Sequence, residues 1–274
     1  MTENVLEVRD VTLRFGGLIA LDSISFSVEK DEFFSILGPN GAGKTSLFNC
    51  LSGLEKPEGS IRAFGRELVG RKPHEIASLG VGRTFQNLGL FNSMTVAENL
   101  LVGAHQQITG GALSASIRWP SVFRSERAVR KKIGELMVRM DLSQYRDTVV
   151  ESLPYGTRKR VEIGKALASN PSLLLLDEPV AGMNHDESRQ FMEYVQTLKA
   201  ELGLTIVLIE HDISLMMQIS DRVLALDFGK LIGTGTPSEI QKNEKVIAAY
   251  LGSTHESDTT AVMNPVDLHE ASHG

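Results

Sequence analysis

Cysteine is all but missing: Cys50 is the only one in 274 residues. No disulfide or cysteine-ligated metal cluster can form within the chain, which suits a reducing compartment. Cys50 itself reads as a small, buried helix residue. Long apolar runs are missing too. None could span a bilayer, and Met1-Thr2-Glu3-Asn4 lacks the basic and apolar character of a signal segment. The expectation is a cytosolic chain that meets a membrane only through partners. Excess positive charge is the third absence. The formal net charge of −6 argues against a general nucleic-acid binder. Four of the carboxylates lie in residues 253–274, which hold no Lys or Arg, so −2 remains on the rest.

The length present suffices for one domain with room for an inserted subdomain. Ile24, Phe26 and Val28 alternate with serines, the period-2 pattern of a half-buried strand. Phe33 to Leu37 is a short apolar run ending in glycines, and a helix-like stretch follows from Lys44 to Leu51. Thr95-Val96-Ala97-Glu98 has the capping-box spacing that opens a helix. Residues 110–125 read as a loop or small insertion. Val129, Ile133, Leu136, Met137 and Met140 then recur at helical spacing behind a Ser125 cap. Leu173-Leu174-Leu175-Leu176 and Thr205-Ile206-Val207-Leu208-Ile209 are continuous apolar runs, as in strands buried on both faces of a parallel sheet. The tail after Gly252 is polar and aperiodic, and disorder is expected there. Its histidines, His255, His269 and His273, are too irregularly spaced for a metal site.

Two motifs carry chemistry. Gly38-Pro39-Asn40-Gly41-Ala42-Gly43-Lys44-Thr45 fits the phosphate-loop pattern in full, between a strand and a helix. Glycines let successive N–H groups converge on phosphate oxygens, and the helix offers its positive end to the same anion. Lys44 is expected on the β- and γ-phosphates, Thr45 on Mg²⁺ and Ser46 on a further phosphate oxygen. The second motif is Asp177-Glu178-Pro179 at the exit of a greasy strand. Carboxylates there are costly without a cation or polar partners. Asp177 is expected to hold Mg²⁺, through water, and Glu178 to orient or deprotonate the attacking water.

From Leu6 to Gly252 the chain resembles the ATP-binding cassette family. Phe15, before Gly16-Gly17, matches the aromatic that stacks on adenine. Gln86, in Arg83-Thr84-Phe85-Gln86-Asn87, matches the glutamine that senses Mg²⁺ and the transmembrane partner. Leu153-Pro154-Tyr155-Gly156-Thr157 sits at the Leu-Ser-Gly-Gly-Gln signature, where Gly156 and Thr157 meet the partner's ATP. Ala181-Gly182-Met183-Asn184 matches the loop that crosses the dimer interface, and His211 the histidine on the γ-phosphate. Taken singly, Phe15 reads as core, Gln86 as a surface amide and His211 as a polar loop residue; their order around the two motifs identifies them. Pro154 and Thr157 depart from the signature, since neither supplies the usual serine hydroxyl or glutamine. Asn184 replaces a common aspartate. Arg158-Lys159-Arg160 crowd charge into a helix expected to begin near Thr157, which opposes the helix dipole.

The resemblance implies a P-loop NTPase (RecA-like) α/β core with an N-terminal antiparallel β subdomain and an inserted α-helical subdomain. The expected boundaries are 1–88 and 169–252 for the core, 89–168 for the helical and signature part, and 253–274 for the tail. A closer resemblance is to the ATPases of bacterial branched-chain amino-acid importers. It lies in residues 83–103 and 210–220, in Trp119 to Arg124, where Trp119 reads as a packing anchor, and in Val246 to Gly252. It implies ATP and Mg²⁺, two permease subunits, a second related cassette or second copy, an extracytoplasmic solute-binding protein, and a place on the cytoplasmic face of the inner membrane. Relatives also serve urea, amides and other small solutes, and nothing in this chain touches the solute. Cassette ATPases acting on ribosomes or DNA usually carry two cassettes or long coiled coils, which this chain lacks. A regulator without turnover would not need Lys44, Asp177, Glu178 and His211 intact.

Overall fold

The computed structural model describes residues 3–84, 89–104 and 120–251. Gln86, Trp119 and the 253–274 tail, all singled out above, lie outside them, as does Leu88. The chain opens with a hairpin of β1 (Asn4–Phe15) and β2 (Leu18–Glu29), turned by Gly16-Gly17. With β4 (Glu58–Ala63) and β5 (Arg66–Glu67) it forms an antiparallel sheet of order β2-β1-β4-β5. The second sheet runs β10 (Lys230–Gly235), β9 (Arg222–Asp227), β3 (Phe33–Leu37), β8 (Thr205–Ile209), β7 (Leu173–Asp177), β6 (Val81–Arg83). All its pairs are parallel except β10 on β9.

β3, β7 and β8 are buried at every residue, so each sends alternate side chains into two different cores. Phe34, Ile36, Leu173, Leu175 and Val207 face the antiparallel sheet and α1 (Lys44–Leu51). Phe33, Leu37, Leu174, Leu176 and Leu208 face the other helices. That second core is continuous through α3 (Val96–Gly103), α4 (Pro120–Arg139), α5 (Tyr155–Leu167) and α6 (His185–Leu202). The inserted helices therefore share the core of the sheet. Cys50 is buried in α1, and burial pushes its thiol up to about 12.

Helix starts follow local chemistry with two departures from the sequence expectation. Thr95 caps α3 as expected: its side chain accepts from Glu98 N–H, and the Glu98 carboxylate accepts the Thr95 N–H at 2.8 Å. α4 is already helical at Pro120, so Ser125 lies inside the helix and does not cap it. α5 begins at Tyr155, two residues before Thr157, with Pro154 as an N-cap that offers no side-chain bond. At the other end, α9 (Glu244–Leu251), which follows the short helices α7 (Ile213–Ile219) and α8 (Pro237–Gln241), brings the Tyr250 phenol into a hydrogen bond with the Gly38 backbone.

Candidate functional site

The phosphate loop leaves the C-terminal end of β3 and enters α1 through Gly43. Gly43 has φ 101 and lies against Ala20 O and Leu21, so no other residue fits without strain. A Cβ on Gly38 would stand 2.5 Å from Leu226 O. The first helical bond runs from Leu47 N–H to Gly43 O, so the N–H groups of Lys44, Thr45 and Ser46 precede the helical ladder. Thr45 and Asn40 are exposed, and Ser46 and Pro39 half-buried. Lys44 is buried, and its Nζ donates to Gly38 O at 2.6 Å and Pro39 O at 3.1 Å. The ammonium thus lies folded on its own loop, and reaching a phosphate requires it to exchange these carbonyls. Burial pushes its pKa down, and the charges of Glu178 and Asp177 oppose this. The lysine and the acidic strand end therefore share one electrostatic site. Phe15 is 47% exposed at the tip of the β1–β2 hairpin, so it is not the core residue it would otherwise be read as. From that hairpin β2 leads to Ala20 and Leu21, which border Gly43.

Asp177 ends β7 and is almost fully buried. Its Oδ2 accepts from an Arg83 guanidinium N–H at 3.0 Å, while its Oδ1 is buried without a hydrogen-bond partner. Burial pushes the carboxyl up, and the Arg83 bond and charge oppose that. A buried carboxylate oxygen left open in this way fits a divalent cation. Mg²⁺ in phosphate sites is held by one or two carboxylates beside phosphate oxygens and water.

Arg83 is a neighbour of Asp177 that sequence reasoning passed over as part of the Gln86 segment. It ends β6, the strand beside β7, and also donates to Asn49 Oδ1 at 3.0 Å and Ser52 Oγ at 2.6 Å on and after α1. Its guanidinium carbon lies 5.6 Å from the Phe48 ring centre. The signal was an arginine at a strand end in a chain with buried acids. Arg83→Ala is expected to destabilise the fold by about 3 kcal/mol, because it strands a buried carboxylate. Urea unfolding of the full chain measures this.

Glu178 follows Asp177 with φ 47, a conformation that L-residues rarely hold. Its N–H donates to Ile209 O at 2.9 Å, and its Oε1 lies 2.6 Å from His211 Nε2. Glu178 is 14% exposed and His211 49%, so the pair opens to solvent on one side. Between them, Glu210 is buried, and its carboxyl is pushed up by burial against two backbone N–H donors, with Glu178 adding to the rise.

The segment around Gly156 stands apart. Gly156 and Thr157 share no hydrogen bond with Lys44, Asp177, Glu178 or His211 among the described residues, and a Cβ on Gly156 would meet nothing within 4 Å. Arg158 N–H bonds to Pro154 O, which leaves the N–H groups of Tyr155, Gly156 and Thr157 ahead of the ladder. The three cations expected near the start of this helix each have a partner. Lys159 turns inward to Glu162 at 3.4 Å, and Arg160 reaches Asp141 at 3.6 Å and the Tyr194 ring. The Arg158 guanidinium carbon and Lys159 Nζ both lie beside the Tyr155 ring, 5.8 and 5.9 Å from its centre. The Tyr155 phenol donates to Ala181 O, tying this segment to the loop after Glu178. In that loop Asn184 is the N-cap of α6, accepting from Glu187 N–H at 2.9 Å, a role aspartate would fill equally.

A family model described as ABC transporter matches residues 21–181, and one described as branched-chain amino acid ATP-binding cassette transporter matches 230–256. A high-affinity branched-chain amino acid transport ATP-binding protein of Pseudomonas aeruginosa is 40% identical over 253 residues, covering 92% of this chain and 99% of that protein. A protein of the same description from Escherichia coli is also 40% identical over 92% of the chain and 99% of its own length. The crystal structure of an ATP-binding cassette of an ABC transporter in its ADP conformation superposes with a TM-score of 0.80 at 30% identity, covering 92% of this chain and 100% of that one. Likeness at this identity along nearly the whole chain is family membership: the chain belongs to the ABC transporter family, among its ATP-binding, ATP-hydrolysing subunits.

Proposed function

We propose that this chain powers a bacterial importer of branched-chain amino acids or a related small polar solute, hydrolysing ATP between two cassettes. The observation that carries the hydrolytic part is the meeting of Glu178 and His211 at 2.6 Å beside Asp177, in the field of Lys44. The importer class is supported by relatives of that description along 92% of the chain.

In this reading Phe15 stacks on adenine. The loop from Gly38 through Pro39, Asn40, Gly41, Ala42 and Gly43 wraps the phosphates with its N–H groups, and Lys44, Thr45 and Ser46 complete the cradle. Thr45, Asp177 and Gln86 would hold Mg²⁺, which when bound neutralises charge on the β- and γ-phosphates. Glu178 accepts the proton of the attacking water. His211 contacts the γ-phosphate and steadies the Glu178 carboxylate. Gly156 and Thr157 present their N–H groups to the ATP of the opposing cassette, a role that fits an open helix N-terminus far from any partner of its own. The proposed units are 1–88 and 169–252 for the core and 89–168 for the helical part.

Proposed partners are two permease subunits, a second related cassette or second copy, and, through the permease, an extracytoplasmic solute-binding protein. No helix among the described residues is long and apolar enough to cross a membrane, so attachment to the cytoplasmic face of the inner membrane runs through the permease. A groove of about 330 Å³ between α2 (Pro73–Ser78) and α5, lined by Ile76, Arg83, Thr84, Gly89 and Lys165, is proposed to take a permease helix. Leu90 packs against the core, whereas Phe91 is 46% exposed with Lys165 Nζ 4.5 Å from its ring centre. Phe91→Asp is expected to weaken permease association about tenfold, on the order of 1.4 kcal/mol. ATP affinity of the isolated subunit should not change, since the new carboxylate finds Lys165. Co-purification with tagged permease reads the result, and normal assembly would move the groove elsewhere.

The function as a whole is tested in vesicles holding the complex that co-purifies with this chain. ATP turnover is expected to rise when binding protein loaded with leucine is added. Stimulation by urea-loaded but not leucine-loaded protein would change the solute, and failure to co-purify any membrane subunit would refute the importer.

A further inference from the structure

Glu210 is a buried carboxylate that the hydrolytic roles above leave unused. It is 4% exposed, and no lysine or arginine pairs with it among the described residues. Burying such a group is costly unless hydrogen bonds compensate. Both of its oxygens are committed. Oε1 accepts the Val180 N–H at 3.1 Å, and Oε2 accepts the His211 N–H at 2.9 Å. Val180 stands two residues after Glu178, and the Glu178 carboxylate returns to His211 Nε2 at 2.6 Å. The exits of β7 and β8 thus close into a ring: Glu178, Pro179, Val180, the Glu210 side chain, His211, and back to Glu178.

We propose that Glu210 is a positioning residue of the hydrolytic site, whose carboxylate fixes the backbones of Val180 and His211 so that Glu178 and His211 face each other. The inference rests on the assignment of Glu178 to water activation and His211 to the γ-phosphate. The need for an anchor is visible at Glu178, whose φ of 47 is one that a non-glycine residue keeps only where its surroundings hold it. One end of its turn is held by the Glu178 N–H on Ile209 O, and the other by Val180 on Glu210. The anchor also bears on the next loop, because Ala181 follows Val180 and its carbonyl takes the Tyr155 phenol. Satisfying two N–H groups at once needs two acceptors at carboxylate spacing. Glutamine has the same size but offers one oxygen and one NH₂, which would confront an N–H donor to donor.

The test is Glu210→Gln in the full-length chain, assayed in its co-purified complex, alone and combined with Glu178→Gln. A misplacement of about 1 Å can cost up to a hundredfold in rate, so kcat is expected to fall tenfold or more. ATP affinity, measured by direct binding, should stay near wild type, while melting temperature should fall by only a few degrees, because one buried N–H is left facing an NH₂. The double variant should lose less than the product of the two single losses, since Glu210 acts through Glu178 and His211 together. Wild-type kcat in Glu210→Gln overturns the proposal. So does a loss of kcat matched by an equal loss of ATP affinity, which marks a packing residue, and so do additive losses in the double variant. Full turnover in Glu178→Gln alone would instead remove the assignment beneath the inference, a result read separately from any at Glu210.

Discussion

Glu178→Gln is expected to lower ATP turnover about a thousandfold, on the order of 4 kcal/mol in the barrier, while ATP still binds. The side chain is almost the same in shape, and its carbonyl can still accept from His211 Nε2, which now lies 2.6 Å from Oε1. The strained backbone at φ 47 is likewise undisturbed, because it is held from outside through Ile209 O and the Val180 tie. What goes is basicity: an amide cannot take the proton of the attacking water. One negative charge beside the γ-phosphate also disappears. Lys44 keeps Asp177 as the remaining carboxylate in its field. The variant should therefore accumulate an ATP-bound pair of cassettes, with a second copy or the related subunit. Single-turnover hydrolysis and size-exclusion with ATP, run side by side, measure both consequences. Turnover at the wild-type rate would remove Glu178 as the base.

The parts of this site that could be read from sequence are those where one short segment does the whole job. The phosphate loop needs its own glycines and its own lysine, and β3, β8 and α1 begin and end where their apolar runs do. What could not be read depends on which strands become neighbours. Arg83 meets Asp177 across 94 positions only because β6 lies beside β7, and Glu210 meets Val180 only because β7 lies beside β8. No periodicity encodes those adjacencies. Helix starts failed for a different reason. Ser125 has the chemistry of a cap, but the helix already runs through it from Pro120, and α5 starts at Tyr155 behind Pro154, a residue with no side-chain bond to announce it. Composition gave the cations at 158–160 one sign, and only the helix's rotation shows that Lys159 goes inward to Glu162.

Gly156→Asp is expected to abolish ATP-driven closure and hydrolysis while leaving the subunit folded and able to bind ATP. The local structure makes the test clean. A Cβ at Gly156 meets nothing within 4 Å, and its φ is not in the left-handed region, so the side chain enters open space without strain. A carboxylate in the first turn of α5 also complements the helix dipole, so melting temperature should hold or rise slightly. The subunit's own phosphate loop, Gly38 to Thr45, is untouched. Any loss must then come from what approaches this surface. If that is the ATP of an opposing cassette, a carboxylate about 4 Å from a phosphate charge costs roughly 4 kcal/mol at an effective dielectric near 20. That is on the order of a thousandfold in the closing equilibrium. Pro154→Ala should do far less, because Pro154 caps α5 without any side-chain bond to lose. Nucleotide affinity and ATPase rate, measured together in the complex with both cassettes present, separate the outcomes. Normal hydrolysis at both sites in Gly156→Asp would mean that the N-terminus of α5 faces no nucleotide, and the two-cassette mechanism would have to be abandoned.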